Sequence, residues 1–516
     1  MTATYGSCEY WADVNPEAIA IVEGERSLTY REWNDAANRV ANALASLGVV
    51  AGDIVVVRTH IRIEWAIVSA ALGKLGCSLL GLNWRLTPSE VHYVLANSGA
   101  HALVCDDSDP AQLMSAVAAL PMKVLVSIDA PTPGFVDYNA LLAGDPTPRF
   151  AAKDPPLIVY TSGTTGLPKG VVMGRRSPHF TDEQVAEYQR DVRQSRRSSA
   201  EGGVSLVTMP MHHGSGPAQL WAARAGGRKI VLLRRFDAET ALALIQEHKV
   251  TDWGSVPTML KRIAALPPEV LRKYDVSSLK HVSVGAAPVP YLLKEWFIGH
   301  FGEGVLTEGY GSTETGMVTR LTPEMQRAKP GSSGTPFKHV TIEVRDAQGR
   351  KLPPGETGEL WIRTPTTLGG YLNGGALGED QMDANGFFRV GDVGYLDADG
   401  YLYITDRAKD LIISGGVNIY PAEIEQVLLR HPAILDVAVI GIPDDEFGEQ
   451  VKAFCEFKPN CSVTAEELMR FASERLASYK RPKTIEFVKE LPRNTMGKVL
   501  KRELREPYWA GRERKV

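Results

Sequence analysis

Cysteine is scarce in this chain: five residues in 516 (Cys8, Cys77, Cys105, Cys455 and Cys461), scattered and without a Cys-x-x-Cys pair. That argues against a disulfide framework and a thiolate zinc site, and it suits a reducing cytosol. No apolar run approaches the ~20 residues needed to cross a bilayer. Met1 to Trp11 has no basic segment followed by an apolar core, so no secretory leader is expected and the cytoplasm is the expected location. Neither sign of charge is in excess: 57 Lys+Arg against 61 Asp+Glu carry no nucleic-acid footprint. There is no internal repeat. Asp397-Ala398-Asp399-Gly400 lacks the glutamate that would close a calcium loop and reads as a hairpin turn.

What is present is an α/β rhythm. Asp53–Val57, Cys77–Leu80 and Ala102–Cys105 read as strands. Between them, Glu64–Leu75 reads as an Ala-rich helix, and Pro88–Asn97 as a helix capped by Thr87. The pattern recurs at Leu206–Thr208, Ile230–Leu233 and Val282–Val284. Continuous apolar strands alternating with helices predict parallel sheets covered on both faces. A chain of this length is expected to split into more than one domain. Beyond about Gly331 the texture changes. Val340–Arg345 and Glu359–Arg363 alternate apolar with polar residues, predicting a small antiparallel, barrel-like region. From Arg407 a compact α+β unit is expected, with a helix opening at Pro421, strands at Val437–Ile440, Ala453–Phe457 and Thr484–Val488, and a helix over Ala465–Leu476.

The most informative stretch is Tyr160-Thr161-Ser162-Gly163-Thr164-Thr165-Gly166-Leu167-Pro168-Lys169-Gly170, which follows the apolar run from Pro156. Glycines let backbone N–H groups approach phosphate oxygens, hydroxyls add donors, and Lys169 adds a point charge. It is not a Walker A loop, because Pro168 stands where that motif has its second glycine and Gly170 where it has the metal-binding hydroxyl. A ligand-free surface loop is the alternative.

Four further segments follow in order: Tyr310-Gly311-Ser312-Thr313-Glu314-Thr315-Gly316; Gly391-Asp392 with Tyr395; Asp406-Arg407-Ala408-Lys409-Asp410 with Ser414-Gly415-Gly416; and Pro492-Arg493-Asn494-Thr495-Met496-Gly497-Lys498. Together with the first, this set resembles the signature of adenylate-forming enzymes (acyl-CoA synthetases, peptide-synthetase adenylation domains and beetle luciferases) over nearly the whole chain, from Leu28-Thr29-Tyr30 to Lys498.

The resemblance implies an N-terminal ATP- and acyl-binding domain over residues 1–406 and a mobile C-terminal lid over 407–516, with the break beside Asp406 and Lys409. It implies ATP, Mg2+ and coenzyme A as co-substrates and cofactors. Thr161, Ser162, Gly163, Thr164, Thr165, Gly166 and Lys169 would hold the β- and γ-phosphates, Thr313 would reach the α-phosphate, and Glu314 would hold the metal. Asp392 and Arg407 would bind the ribose. Gly285, Ala286, Ala287 and Tyr310 would wall the adenine, and Asn418 would face the adenylate. Lys498 would bridge the carboxylate and the α-phosphate. After lid rotation about Lys409, Ser414, Gly415 and Gly416 would line the coenzyme A tunnel.

His213, in Pro210-Met211-His212-His213, is the candidate beside the acyl pocket and thiol tunnel; a packed histidine is the alternative. Gly214, Ser215, Gly216, Gly285, Ala286, Gly309 and Gly311 are small pocket positions. Trp221, Val256, Met317 and Val318 add apolar walls, and no Lys or Arg points clearly inward. A bulky ring or fatty acid is therefore expected rather than a dicarboxylate. No Asp is identifiable at the pocket mouth for an amino-acid ammonium.

The Arg-rich stretch from Arg175 to Arg197 reads either as a solvated helix and loop or as a basic lid over the nucleotide or coenzyme A. Two rivals to an acid–CoA ligase are a free-standing enzyme that loads a separate carrier protein and a non-catalytic nucleotide sensor. Against the sensor stand Lys169, Glu314, Asp392, Arg407 and Lys498, all retained. A homodimer is left open.

Overall fold

Apolar strands without a polar face can be stable only between two covering layers, and most strands of the large N-terminal region are so placed. The computed structural model describes residues 3–151, 153–161, 167–195, 202–374 and 377–511. One sheet has seven strands in the order Val136–Asp137, Val124–Ser127, Ala102–Cys105, Ile54–Arg58, Ser78–Gly81, Leu157–Thr161, Lys169–Val172. All its pairs are parallel except the last. A second sheet has nine strands, with a parallel centre built from Leu306–Ser312, His281–Gly285, Asp252–Ser255, Val204–Val207, Lys229–Leu232 and Ile19–Glu23. One hydrophobic core joins Val55 and Leu79 of the first sheet to Ile21, Val207 and Ile230 of the second.

The helix Ile63–Leu75 lies in that core. It is apolar nearly all round, and every residue but Gly73 is buried, as expected of a helix without a polar face. Thr87 caps the helix Pro88–Ser98 as the sequence predicts: its hydroxyl accepts from the Glu90 N–H, and Glu90 reaches back to the Thr87 N–H at 2.8 Å.

The alternating region forms a four-stranded antiparallel sheet in the order Thr341–Arg345, Gly358–Arg363, Phe388–Leu396, Leu402–Arg407. Asp397–Gly400 turns the last hairpin, with the Lys329 ammonium bound to Asp397 at 2.8 Å and Asp399 at 2.6 Å. The terminal unit holds a five-stranded sheet and the helices Pro421–Leu428, Ala465–Ser473 and Lys501–Trp509. Its central hairpin, Ile434–Asp444 with Gly448–Phe457, is much longer than the apolar runs predict. Pairing continues through Pro443 and Glu449 because ladder hydrogen bonds do not require apolar side chains. The helix from Ala465 is shorter than predicted, ending at Ser473.

Candidate active site

The strand Leu157–Thr161 turns back antiparallel into Lys169–Val172, with Thr161 opposite Lys169. The connecting segment is the Ser/Thr/Gly loop, whose Ser162, Gly163, Thr164, Thr165 and Gly166 lie outside the described residues. Both flanks are anchored. Tyr93 donates to the Pro168 carbonyl at 3.1 Å, the Leu372 N–H to the Gly170 carbonyl at 2.7 Å, and the Lys169 ammonium sits 4.8 Å from the centre of the Tyr371 ring.

Thr313–Thr315 is the turn between the strands Leu306–Ser312 and Gly316–Leu321. The Thr315 N–H donates to the Ser312 hydroxyl at 3.1 Å. A second loop clamps the turn from outside: the Thr364 and Thr366 hydroxyls donate to the Thr315 carbonyl at 2.6 and 3.1 Å, and the Leu368 N–H donates to the Glu314 carbonyl at 2.8 Å. With its backbone held, Glu314 accepts from the Thr161 hydroxyl at 3.4 Å. The end of the strand that leads into the Ser/Thr/Gly loop and the acidic turn therefore meet. The threonine clamp has no signature in the sequence, because its members come from a loop that the motifs do not include.

Asp392 and Arg407 are cross-strand partners in the four-stranded sheet. Arg407 Nε lies 2.6 Å from Asp392 Oδ1, and the Tyr310 hydroxyl donates to Oδ2 at 2.6 Å. Burial and the adjacent Asp392 charge push the Tyr310 phenol well above its ordinary range, so it stays a donor. Tyr310, expected as an adenine wall, thus also donates a hydrogen bond to Asp392, the acid expected to bind the ribose. The strand His281–Gly285 runs parallel beside Leu306–Ser312, with Gly285 opposite Gly309. Ala286 follows at φ +66°, a left-handed conformation costly for a residue with a Cβ.

The glycines here have a packing reason besides pocket space. A Cβ on Gly285 would lie 2.4 Å from the Gly309 carbonyl, one on Gly311 2.2 Å from the Gly316 carbonyl, and one on Gly216 2.4 Å from the Pro210 carbonyl. Gly309 faces the Met317 methyl instead, and Gly214 the Met173 methyl. Ser215 opens the helix Ser215–Ala225, its hydroxyl buried without a hydrogen-bond partner.

The small unit inserts its Arg493–Val499 hairpin into this site. Asn494 shapes the turn, its side chain accepting from the Met496 and Lys498 N–H groups at 3.0 and 2.9 Å. Gly497, at φ +73°, lies so close to Thr258 of the large region that a Cβ would sit 2.3 Å from its hydroxyl. Thr495 places its hydroxyl 2.9 Å from Nε2 of His212 and 3.1 Å from Nε2 of His213. Burial pushes the His213 imidazole down to about 4 and His212 well below its ordinary range, so both are neutral near pH 7. His213 thus meets the lysine loop directly. Its partner His212 was missed, because nothing in the sequence says that adjacent histidines can share one hydroxyl.

Lys498 is partly buried near Arg407, Asp392, Lys409 and Asp410, and loss of hydration, with the Arg407 charge, pushes its ammonium down to about 8. An acid-form lysine that holds anions should work only below that value. In the free enzyme the kcat/KM of adenylate formation is therefore expected to fall as pH rises through about 8, and Lys498→Arg is expected to move that fall upward. A pH–rate profile of pyrophosphate release checks it. Ser414, Gly415, Gly416 and Asn418 are not in this cluster: they form a hairpin with Gly415, Gly416 and Asn418 exposed to solvent.

The Arg-rich stretch folds in part as the helix Asp182–Ser195. Its buried Tyr188 donates to the Met317 carbonyl at 2.8 Å, and Glu187 pairs with His339. Arg196 and Arg197 lie outside the described residues.

Residues 8–372 match the family model described as AMP-binding enzyme, and residues 423–498 match its C-terminal domain. A 2-succinylbenzoate–CoA ligase of Bacillus licheniformis is 34% identical, covering 96% of this chain and 98% of that protein. A fatty acid–[acyl-carrier-protein] ligase of Streptomyces coeruleorubidus is also 34% identical, covering 98% and 96%. Among solved structures, ATP-bound MatB from Rhodopseudomonas palustris superposes with a TM-score of 0.84 at 27% identity, covering 99% of this chain and all of that one.

Proposed function

The chain belongs to the AMP-binding enzyme family, and from that premise we propose that it is an AMP-forming carboxylic acid–CoA ligase acting on a bulky apolar acid. A carboxylate is a poor acyl donor because oxide would have to leave. Attack of its oxygen on the α-phosphorus of ATP forms the acyl adenylate and expels pyrophosphate. A thiol then attacks the carbonyl carbon, loses its proton and displaces AMP.

The observation that carries this reading is the insertion of the Lys498 hairpin of the small unit against the large one, Thr495 meeting His212 and His213 and the Gly497 carbonyl accepting from Thr258. A partly buried cation on that hairpin would meet the carboxylate and the phosphate as they are brought together, and such pre-organised charge would be the main catalytic resource. Asp392 would accept from the ribose hydroxyls and Arg407 would flank them. Glu314 and the Thr161 hydroxyl offer the oxygen ligands that Mg2+ takes and would hold it; when bound, the ion neutralises phosphate charge and acts as a template. Neutral His213 can bound the carboxylate end without competing for the anion.

Relatives named for indoleacetate and ferulate support a ring acid and one named for long-chain fatty acids a fatty one, whereas one named for 2-succinylbenzoate, which carries two carboxylates, supports the ring but not the exclusion of a dicarboxylate. Coenzyme A as thiol is supported by a cationic surface near the histidines: exposed Arg85 and Arg235 lie 4.7 and 6.0 Å from the centre of the Trp84 ring, which stacks on His60. The carrier-protein reading rests on the Streptomyces relative.

One experiment tests both levels. Purified protein with Mg2+, ATP and a panel of aromatic, alicyclic and straight-chain acids is expected to exchange labelled pyrophosphate into ATP, and then to yield thioester with coenzyme A alone. No exchange with any acid defeats the proposal. Exchange without CoA thioester supports the carrier alternative.

A further inference from the structure

The helix Pro257–Ala264 has two functions written on two faces. Met259, Leu260 and Ile263 point into the core of the large region. Thr258, Lys261 and Arg262 stand at spacings of three and four residues, which puts them on one stripe of the helix. That stripe is turned toward the small unit. Thr258 donates to the Gly497 carbonyl at 2.9 Å, immediately before Lys498. Lys261 reaches Asp436 at 2.5 Å, and Arg262 lies 3.8 Å from Glu490 at the rim. Between them Met496, only 7% exposed, is buried in the core cluster of the large region together with Val256, Leu260 and Ile263.

The polar centre of this contact is arranged to come apart cleanly. Asp436 is buried, but it has a second cation of its own: Arg493 of the same unit, at 2.7 Å, which also reaches Glu456 at 3.3 Å. Burial alone would raise the Asp436 carboxyl, and the nearby Lys261 and Arg493 charges hold it below the usual range instead. When the small unit leaves, Asp436 keeps Arg493 and is not orphaned. Lys261, whose side chain is 17% exposed, can extend its long stem into water. A charge pair whose rupture strands neither partner avoids the large penalty of an isolated buried ion, so it can favour one position of the lid without locking it.

We infer that this stripe is the dock that holds the small unit in its lysine-inserted position, and that Lys261 is a positioning residue for adenylation that plays no part in thioester formation. The inference rests on the two-step reading above. It goes beyond that reading in assigning the choice of conformation to a residue that touches neither nucleotide nor acid.

The test uses the full-length chain as Lys261→Met and Lys261→Arg. The Met variant is expected to slow formation of acyl adenylate about 10- to 100-fold. Its conversion of preformed acyl adenylate and coenzyme A to thioester should stay within about twofold of the parent, a ratio too small to represent a lost interaction. The Arg variant should recover most of the first step. Equal slowing of both steps, or no slowing of the first, overturns the inference.

A readout independent of turnover separates its failure from failure of the functional reading. Spin labels at Glu269→Cys and Ser478→Cys, both exposed sites, on a Cys461→Ser background report the distance between the units. Lys261→Met is expected to reduce the population at the docked distance. An unchanged distance distribution overturns the dock even if no acid is ever turned over.

Discussion

Lys498→Ala is expected to abolish adenylate formation, by about a hundred- to a thousand-fold in rate, while preformed acyl adenylate is still converted to thioester. The physical reason is the location of the charge. Lys498 is partly buried near Arg407, Asp392, Lys409 and Asp410, and loss of hydration already pushes it down to about 8, so its cation is held at a cost that an anionic partner offsets. The reacting carboxylate and the α-phosphate are such partners, and their mutual repulsion is greatest in the first step. In the second step a thiol meets an adenylate whose leaving group is already good, and Lys498 has no comparable task there. The hairpin that carries it is shaped by Asn494 and Gly497, so truncating the side chain leaves the loop standing. Pyrophosphate release and thioester yield from synthetic adenylate, measured on one preparation, decide the matter. Equal loss in both assays would defeat the separation of roles.

Asp392→Asn is expected to weaken ATP binding about 100-fold and to lower thermal stability as well. Asp392 is a buried carboxylate that already satisfies two partly exposed neighbours, Arg407 at 2.6 Å and the Tyr310 hydroxyl at 2.6 Å. An amide can still accept from Tyr310, but it cannot balance Arg407. The guanidinium, 38% exposed, then loses its partner but can turn to water, so the loss is held to about 1 kcal/mol, above that of a surface pair only because Asp392 itself is buried. The same oxygens are the expected acceptors for the ribose hydroxyls, so nucleotide affinity and folding should fall together. Calorimetric titration with ATP and a melting curve report the two effects. A variant that loses ATP affinity with an unchanged melting temperature would show that the Arg407 pair contributes nothing to the fold. A variant with unchanged affinity would remove Asp392 from the nucleotide site.

Both predictions concern residues that the sequence singles out. Lys498 and Asp392 were legible because each sits in a short segment whose residue types and order are unusual together. The parallel sheets were legible because an uninterrupted apolar strand such as Ala102–Cys105 has few other stable environments. The same logic failed for the long hairpin Ile434–Asp444, where backbone pairing runs on through polar residues that carry no period. It also gave only half the meaning of the small residues. Gly285 and Gly311 read as room for an acid, and the structure adds that neighbouring carbonyls leave no space for a Cβ at either position.

From sequence alone came the reaction class and the residues proposed for it, because phosphate-cradling loops, acidic turns and lysine hairpins draw on a narrow set of side chains in local order. The tertiary structure alone decided what meets what across hundreds of residues: the Thr364–Leu368 clamp on Glu314, Thr495 against His212 and His213, and Lys261 against Asp436. These contacts join segments that have no pattern in common. A hydrogen bond or ion pair needs only complementary atoms at the right distance, and that distance exists only once the chain has folded.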